Sequence, residues 1–271
     1  MTAWNRIDRG GGRPLVLLHG GGASCRSWLP VINLLAAHRR VIALDFPGFG
    51  RTPAPVDAPF TMDWAMQQLA AELVRLGIRG PVDMAGNSMG GWMALEAAKR
   101  GMARSVVALG PAGLWATGMP RSTQALFGIG LRLAWISQTS ARHVLRVPSV
   151  RAAALRVLVK HPHRMTTGDA IGLLADLHTS SPALRKALAL NVHNRFEGGQ
   201  HITVRVTVAI GSHDRMVPAR TSRFRDQLPA HTRWVTLPDC GHLPMWDHPD
   251  LVVRTILEGT AKNTVSAAPR A

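Results

Sequence analysis

Residues 81–100 read PVDMAGNSMGGWMALEAAKR. Residues 81–85 are short and apolar enough for a buried strand, and residues 91–100 are typical of a helix that ends in cations. The two are joined by Gly86-Asn87-Ser88-Met89-Gly90. A Gly-x-Ser-x-Gly sequence between a strand and a helix predicts a tight turn in which the serine is strained and only small neighbours fit. The bare pattern also suits an ordinary glycine–serine loop, but the flanking strand and helix favour a turn that carries a nucleophile.

Such a turn would expose the Ser88 hydroxyl above the sheet and place the Met89 amide at the positive end of the helix. Ser88 is therefore the candidate nucleophile. A serine hydroxyl reacts poorly at neutral pH, so this hypothesis requires a base and an acid that orients the base. In enzymes with this turn, the acid and then a histidine follow the serine along the chain.

Two further strand ends supply a candidate acid and a candidate base. The β-branched run 204–210 precedes a loop that contains Asp214, and the short run 234–237 precedes a loop that contains His242. Both loops are expected at the edge of the sheet that holds Ser88, which is where open α/β sheets bind ligands. We therefore predict that His242 activates Ser88 and that Asp214 orients His242.

Asp239 is the alternative acid. It precedes His242 by only three positions, and a carboxylate that close in sequence is expected to cap its own turn. His213 adjoins Asp214 on the same loop and is not expected to reach Ser88. The order of residues and their placement at strand ends favour Asp214 over Asp239.

Residues 15–24 are an apolar run that leads into Gly20-Gly21-Gly22. Glycines at this place would let a backbone N–H approach a substrate oxygen. The alternative, a phosphate-binding loop, lacks both Gly-x-Gly-x-x-Gly and Gly-Lys-Ser/Thr. Residues 45–52 follow the next strand, and we expect them to form a structural turn at the mouth of the site.

Taken in order, His19-Gly20-Gly21-Gly22, Gly86-Asn87-Ser88-Met89-Gly90, the loop 211–218 and Gly241-His242 resemble the motifs of α/β-hydrolase-fold serine hydrolases. The resemblance covers nearly the whole chain. It implies a mostly parallel, doubly wound α/β sheet with Ser88 as nucleophile, His242 as base and Asp214 as acid. It also implies an oxyanion hole formed by the amides of Met89 and Gly21.

The segment between strands 105–109 and 204–210 departs from strand–helix alternation. Its apolar pattern predicts helices over 125–136, 141–159, 169–178 and 183–190. Similar hydrolases commonly carry a helical cap here, and long insertions usually form lids or binding walls. Its apolar side chains include Leu126, Phe127, Trp135 and Leu173. Most of the apolar side chains would pack on the core, and a minority would line the pocket.

The expected organisation is an α/β core of residues 1–113 and 197–260 with a helical cap of residues 114–196. Two more helices are predicted near 219–228 and 249–258. The tail 261–271 is small and polar, and we expect it to be disordered.

The 271 residues are 46% apolar, which supports one domain with an insertion. The sequence shows neither a signal-peptide core nor an apolar run of roughly 18 residues, so we expect a soluble, cytoplasmic protein. Cys25 and Cys240 are expected to be free thiols, although both fall on loops at the catalytic edge where a bridge is conceivable. No metal-ligand spacing is evident, and no cofactor or metal is expected.

The net charge of +16 comes mainly from dispersed arginines, without a basic run or any tyrosine, so we expect no nucleic-acid partner. Between Leu114 and Met165 the chain has no carboxylate. A solvated helical face explains this bias, and attraction to anionic substrates or a membrane surface is the alternative. The cations in this stretch are Arg121, Arg132, Arg142, Arg146, Arg151, Arg156, Lys160 and Arg164.

These observations predict hydrolysis of a carboxylic ester, with a small apolar molecule as substrate. The glycine loop and the Asn-Ser-Met-Gly-Gly turn are also similar to hydrolases that split a carbon–carbon bond in ring-cleavage dienoates. Those enzymes typically have tryptophan directly after the catalytic histidine, whereas Leu243 follows here. Epoxide hydrolases and haloalkane dehalogenases resemble this fold but need a carboxylate in place of Ser88. A hydrolase fold retained as a ligand receptor is a further alternative.

Overall fold

A seven-stranded sheet lies at the centre of the computed structural model, which describes residues 3–133, 138–191 and 193–261. The strand order is β1-β3-β2-β4-β5-β6-β7; β1 pairs antiparallel with β3 and every other pairing is parallel. The strands are β1 Arg6–Arg9, β2 Pro14–Leu18, β3 Arg40–Leu44, β4 Val82–Asn87, β5 Ala103–Leu109, β6 Arg205–Gly211 and β7 Arg233–Leu237.

Helices cover both faces of the sheet, which confirms the doubly wound α/β class. Alternate residues of β2 enter two different apolar clusters, Val16 and Leu18 in one and Leu15 and Leu17 in the other, because successive side chains of a strand point to opposite faces. The helices Met62–Arg75 and Met89–Lys99 contribute to the first cluster, and the helices Leu29–Ala36 and Pro249–Gly259 to the second. Outside the insertion the helices are α1 Leu29–Ala36, α2 Met62–Arg75, α3 Met89–Lys99, α8 Pro244–Asp247 and α9 Pro249–Gly259.

The carboxyl ends of the central strands lie side by side. The register pairs Leu18 with Gly86, Asn87 with Leu109, and Gly211 with Leu237. The glycine loop after β2, the serine turn after β4 and the loops after β6 and β7 therefore meet at one edge.

The chain between β5 and β6 is helical, but its helices differ from those predicted. They are α4 Arg121–Leu133, α5 Gln138–Val144, α6 Pro148–Leu155 and α7 Thr167–Asn191. The single predicted helix over 141–159 is wrong because Pro148 restricts the residue before it, and Val147 is extended (φ −76°, ψ 115°). Residues 134–136 of the first predicted helix, including Trp135, lie outside the described residues.

Two predicted helices, 169–178 and 183–190, form one continuous helix, α7, despite Pro182 inside it. Proline cannot donate to the carbonyl one turn earlier. The Ser181 hydroxyl donates to that carbonyl, of His178, at 2.9 Å instead. The neighbouring side chain thus compensates for the hydrogen bond that Pro182 lacks.

The helix predicted over 219–228 is also wrong, since only a short 3₁₀ turn, Arg225–Gln227, forms there. The Phe224 amide donates to the carbonyl of Leu114 (3.2 Å), and the Arg225 guanidinium lies 5.0 Å from the Trp234 ring centroid. Tertiary contacts thus replace local ones. The last predicted helix is confirmed as α9. Residues 262–271 lie outside the described residues, and none of the described helices is long and apolar enough to cross a membrane.

Candidate active site

Ser88 lies at the junction of β4 and α3 in a strained backbone conformation with positive φ (φ 55°, ψ −115°), as the sequence predicts. The turn closes because its two glycines allow backbones to touch. A Cβ on Gly86 would lie 2.1 Å from the Gly90 carbonyl oxygen, and one on Gly90 would lie 2.2 Å from the Leu18 carbonyl oxygen. No larger residue fits at either position.

The glycine loop after β2 lies against this turn. A Cβ on Gly20 would lie 3.3 Å from the Cβ of Ser88, and one on Gly21 would lie 3.9 Å from the sulfur of Met89. Within the part of the chain that the structure describes, neither the Met89 amide nor the Gly21 amide donates a hydrogen bond to another protein group. Two backbone donors are thus available beside Ser88, at the positions predicted for an oxyanion hole.

His19 fixes the orientation of the glycine loop. Its Nε2 accepts a hydrogen bond from the Phe46 amide (3.1 Å), so the proton of a neutral ring is on Nδ1, which donates to the Gly20 carbonyl at 2.8 Å. Burial lowers the pKa of His19, which favours this neutral form. Because a peptide is planar, a fixed Gly20 carbonyl points the Gly21 amide in the opposite direction.

The turn 45–52, predicted as a structural element at the mouth of the site, is held by Asp45. This carboxylate accepts hydrogen bonds from the amides of Cys25 (2.6 Å) and Arg51 (2.9 Å). It therefore links the turn to the loop after β2. Phe46 and Phe49 of the turn line the cavity above Ser88.

His242 and Asp214 form a buried pair. The Nδ1 of His242 lies 2.8 Å from Oδ2 of Asp214, and the other carboxylate oxygen accepts hydrogen bonds from the amides of Met216 (2.9 Å) and Val217 (2.8 Å). These amides hold the carboxylate toward the ring. The Asn87 side chain, next to Ser88, donates to the carbonyl of His242 (2.9 Å), so the serine turn and the histidine loop are in contact.

Asp239 has a different partner. Its Oδ2 lies 2.6 Å from Nε2 of His161, a residue between α6 and α7, so the expectation that it caps its own turn is wrong. The hydrogen bond from His161 lowers the pKa of Asp239. His213 is exposed and its ring contacts the Ser212 hydroxyl (2.9 Å). The structure therefore brings Asp214, and not Asp239, to His242.

An apolar cavity opens at Ser88, with about 870 Å³ of space including its mouth. Gly21, Met89, Met216 and Val217 line it, together with aromatic side chains of the core and residues of α4 and α7. Among the described residues, no charged side chain lines it. Phe127, one of the apolar residues named from the sequence of the insertion, lines the cavity, whereas Leu126 and Leu173 do not. The sequence did not point to the rest of the wall, which includes Phe60, Trp64, Trp92, Trp115, Leu184 and Leu188.

The polar side chains of the cavity wall are largely committed to the protein. Thr123 donates to the carbonyl of Met216 (2.6 Å), Asn191 to that of Ala187 (2.8 Å), and Thr61 accepts from the Trp64 amide (3.3 Å). Among the described residues of the wall, Ser88 carries the remaining hydroxyl. The Ser88 hydroxyl therefore lies in largely apolar surroundings.

Cys25 and Cys240 are free and buried, so the prediction of free thiols is confirmed. Burial raises the pKa of Cys25, and it raises the pKa of Cys240 to about 12. Neither thiol is a nucleophile near neutral pH.

A mostly parallel sheet with a nucleophile turn at its carboxyl edge defines an α/β hydrolase. The model of the alpha/beta hydrolase family matches residues 15–255, and the chain belongs to this family. It is 28% identical over 265 residues to a 2-hydroxy-6-oxo-6-(2'-aminophenyl)hexa-2,4-dienoic acid hydrolase of Metapseudomonas resinovorans. The matched residues cover 90% of this chain and 82% of that protein.

Two further proteins are similar to this chain. An epoxide hydrolase of Mycobacterium tuberculosis is 34% identical over 179 residues, 63% of this chain and 82% of that protein. The crystal structure of a putative lipase from Acinetobacter baumannii has a TM-score of 0.76 at 18% identity, over 94% of this chain and 86% of the lipase. The last likeness concerns the fold alone.

Proposed function

We propose that the protein hydrolyses carboxylic esters of small apolar acids or alcohols, with Ser88, His242 and Asp214 as a catalytic triad. One observation carries the choice of an ester: the cavity that opens at Ser88 is lined by apolar side chains, and no charged side chain lines it among the described residues. Apolar burial would supply binding energy of about 25 cal/mol per Å². A charged substrate would lose its hydration there without gaining a partner.

In the proposed reaction, His242 takes the proton of Ser88 as its oxygen attacks the ester carbonyl. The amides of Met89 and Gly21 stabilise the oxyanion, and Asp214 stabilises the imidazolium. His242 then protonates the leaving alcohol, which departs and leaves an acyl-serine. Water, deprotonated by His242, releases the acid and restores Ser88.

Cleavage of a carbon–carbon bond in a dienoate is the second candidate, favoured by the similarity to the Metapseudomonas hydrolase over 90% of this chain. The same triad would serve, but a dienoate carries a carboxylate. Without a cation on the cavity wall, burial of that carboxylate is costly. A neutral ester therefore suits the apolar cavity better than a dienoate does.

Epoxide hydrolysis suits the site less well, despite the Mycobacterium relative. A carboxylate nucleophile opens an epoxide to an ester, which water can cleave. Ser88 would instead form an ether, which has no carbonyl for water to attack. A serine at this position therefore disfavours the epoxide reaction.

Two measurements test the proposal. A fluorophosphonate probe should label the native protein at Ser88 and leave Ser88→Ala unlabelled, whereas a ligand receptor with an inactive site would label poorly. Turnover of p-nitrophenyl esters, lactones, thioesters and a ring-cleavage dienoate should then be compared at equal concentration. Faster turnover of the dienoate than of any ester would replace the ester proposal with carbon–carbon bond hydrolysis.

A further inference from the structure

A group of metal-ligating side chains lies on the surface between the helical insertion and the loop that leads to His242. His161, Asp239 and His248 each offer one ligand atom, and these atoms lie within 4.8 Å of one another. The three residues come from the segment between α6 and α7, the loop after β7, and the position directly before α9. We propose that they bind a divalent transition-metal ion of the Zn²⁺ class.

The donor set defines the class of ion. Two imidazole nitrogens and one carboxylate oxygen suit Zn²⁺, Co²⁺ and Ni²⁺, whereas Mg²⁺ and Ca²⁺ prefer oxygen ligands alone. The side chains of His161 and Asp239 are 20% and 48% exposed, so an ion can enter and water can complete its coordination. Metal–ligand distances of roughly 2.0–2.2 Å require the hydrogen-bonded pair His161–Asp239 to separate by roughly 1 Å.

The backbone around these ligands is already fixed by a buried carboxylate that is not a ligand. Asp247 accepts hydrogen bonds from the amides of His161 (2.7 Å), Lys160 (3.0 Å) and Gly241 (2.7 Å). Asp247 directly precedes His248, and Gly241 lies two residues after Asp239. All three ligand-bearing segments therefore converge on Asp247, so the ion would meet a preformed backbone.

An ion at this site would join the insertion to the core. His161 belongs to the insertion, while Asp239 and His248 belong to the core, and none of the three lines the cavity at Ser88. The ion therefore acts on stability and not on the bond that is cleaved. The unfolded chain does not hold these ligands together, so binding to the folded form raises the free energy of unfolding.

The test uses the full chain without an affinity tag. A chelator first removes any bound metal, and the chelator is then removed. Titration calorimetry with Zn²⁺ should give one ion per chain, and Co²⁺ should give visible absorption bands of a nitrogen-coordinated ion. Zn²⁺ should also raise the melting temperature. His248→Ala and Asp239→Asn should each weaken Zn²⁺ binding at least tenfold and abolish the rise.

The matched control is His231→Ala, which removes an exposed histidine whose ring contacts the carbonyl of Val204. It should bind Zn²⁺ within twofold of wild type. Circular dichroism of the metal-free variants verifies their folding. Because there are two ligand variants, the test still decides if one of them does not fold. Absence of stoichiometric Zn²⁺ binding, or unchanged binding in a folded His248→Ala or Asp239→Asn, would overturn the proposal.

Discussion

At the scale of single residues, three hydrogen bonds hold Ser88 in its strained conformation. Its amide donates to the carbonyl of Leu109 (2.9 Å), and its carbonyl accepts from the amides of Trp92 (3.1 Å) and Ala112 (3.0 Å). A non-glycine residue with positive φ persists only where its surroundings over-determine it. All three bonds involve the backbone, so the side chain of Ser88 is not needed to form the turn.

Ser88→Ala should therefore remove the reaction and keep the fold. We expect turnover to fall by roughly 10³-fold or more, because the nucleophile is lost while the backbone bonds remain. Ester hydrolysis by the purified variant, with its melting temperature as control, is the measurement. Retention of more than a tenth of wild-type activity would contradict the role of Ser88.

Asp214→Asn should keep the shape of the pair but leave His242 in the wrong tautomer. By analogy with serine proteases, the loss of kcat approaches roughly 10⁴-fold. Asp239→Asn is the matched control, since Asp239 contacts His161 and not His242. Both variants are assayed with a chelator present, because Asp239 is also a ligand of the proposed metal site. A larger loss in Asp239→Asn than in Asp214→Asn would show that the acid is assigned wrongly.

His19 gives the native state an acid-sensitive point. Its folded-state pKa is lowered by burial, so the stability from its neutral ring is complete above the ordinary value of 6.5 and is lost as the pH falls below it. The free energy of unfolding should depend less on pH in this range in His19→Gln than in wild type. His38→Gln, at an exposed position, should not show this change. Urea unfolding at about pH 7.5 and about pH 5.5 compares the three proteins. If the free energy of unfolding changes equally between the two pH values in wild type and in His19→Gln, the buried neutral ring is refuted.

Sequence alone could predict Ser88, Asp214 and His242 as candidates because each follows a strand whose pattern is local. The structure places His242 and Asp214 2.8 Å apart. The pair His161–Asp239 could not be predicted in this way, since 78 positions separate its members and no local spacing marks it. The wall of the cavity could not be predicted either, because the apolar residues of the insertion that line it and those that pack elsewhere look alike in sequence.

At the scale of elements, α7 shows where local pattern is insufficient. Pro182 predicts a break, and the hydroxyl of Ser181 removes the need for one. The continuous helix then reaches across the glycine loop. Leu184 lies 3.1 Å from where a Cβ on Gly21 would be, and Leu177 lies 2.7 Å from the corresponding position on Gly22. The loop that carries a proposed oxyanion donor is thus covered by the insertion.

Asp176 of α7 ties this helix to the loop, since the Ser24 hydroxyl donates to its Oδ2 at 2.6 Å. Burial raises the pKa of Asp176 above its ordinary 3.8. Compared with the unfolded chain, the folded state thus favours the protonated acid. The stability that this preference contributes is complete below pH 3.8 and is lost as the pH rises through the raised pKa.

Asp176→Asn should therefore lose less stability than wild type between about pH 4 and about pH 7. The free energy of unfolding in urea at both pH values is the measurement. Asp57→Asn, at an exposed position, is the control and should behave as wild type. A steeper loss with rising pH in Asp176→Asn than in wild type would contradict the raised pKa.

At the scale of the whole molecule, charge and cavity are separate. The net charge of +16 includes the basic stretch 114–165, whose cations are exposed except for the half-buried Arg151. None of these cations lines the cavity. Long-range attraction therefore acts on anionic molecules outside the cavity, and it decreases as salt rises. Apolar burial acts inside the cavity and depends little on salt.

For neutral esters, kcat/KM should accordingly rise with acyl chain length until the cavity is full. Each buried methylene contributes about 0.8 kcal/mol, or about fourfold in kcat/KM. Raising the salt concentration should change this series little, whereas the rate for a carboxylate-bearing dienoate should fall. Leu188→Trp, which fills space in the wall, should move the limit to shorter chains. Leu190→Trp is the control on the same helix, because Leu190 is 51% exposed. A flat chain-length series, or the same limit in Leu188→Trp as in Leu190→Trp, would show that the substrate binds outside this cavity.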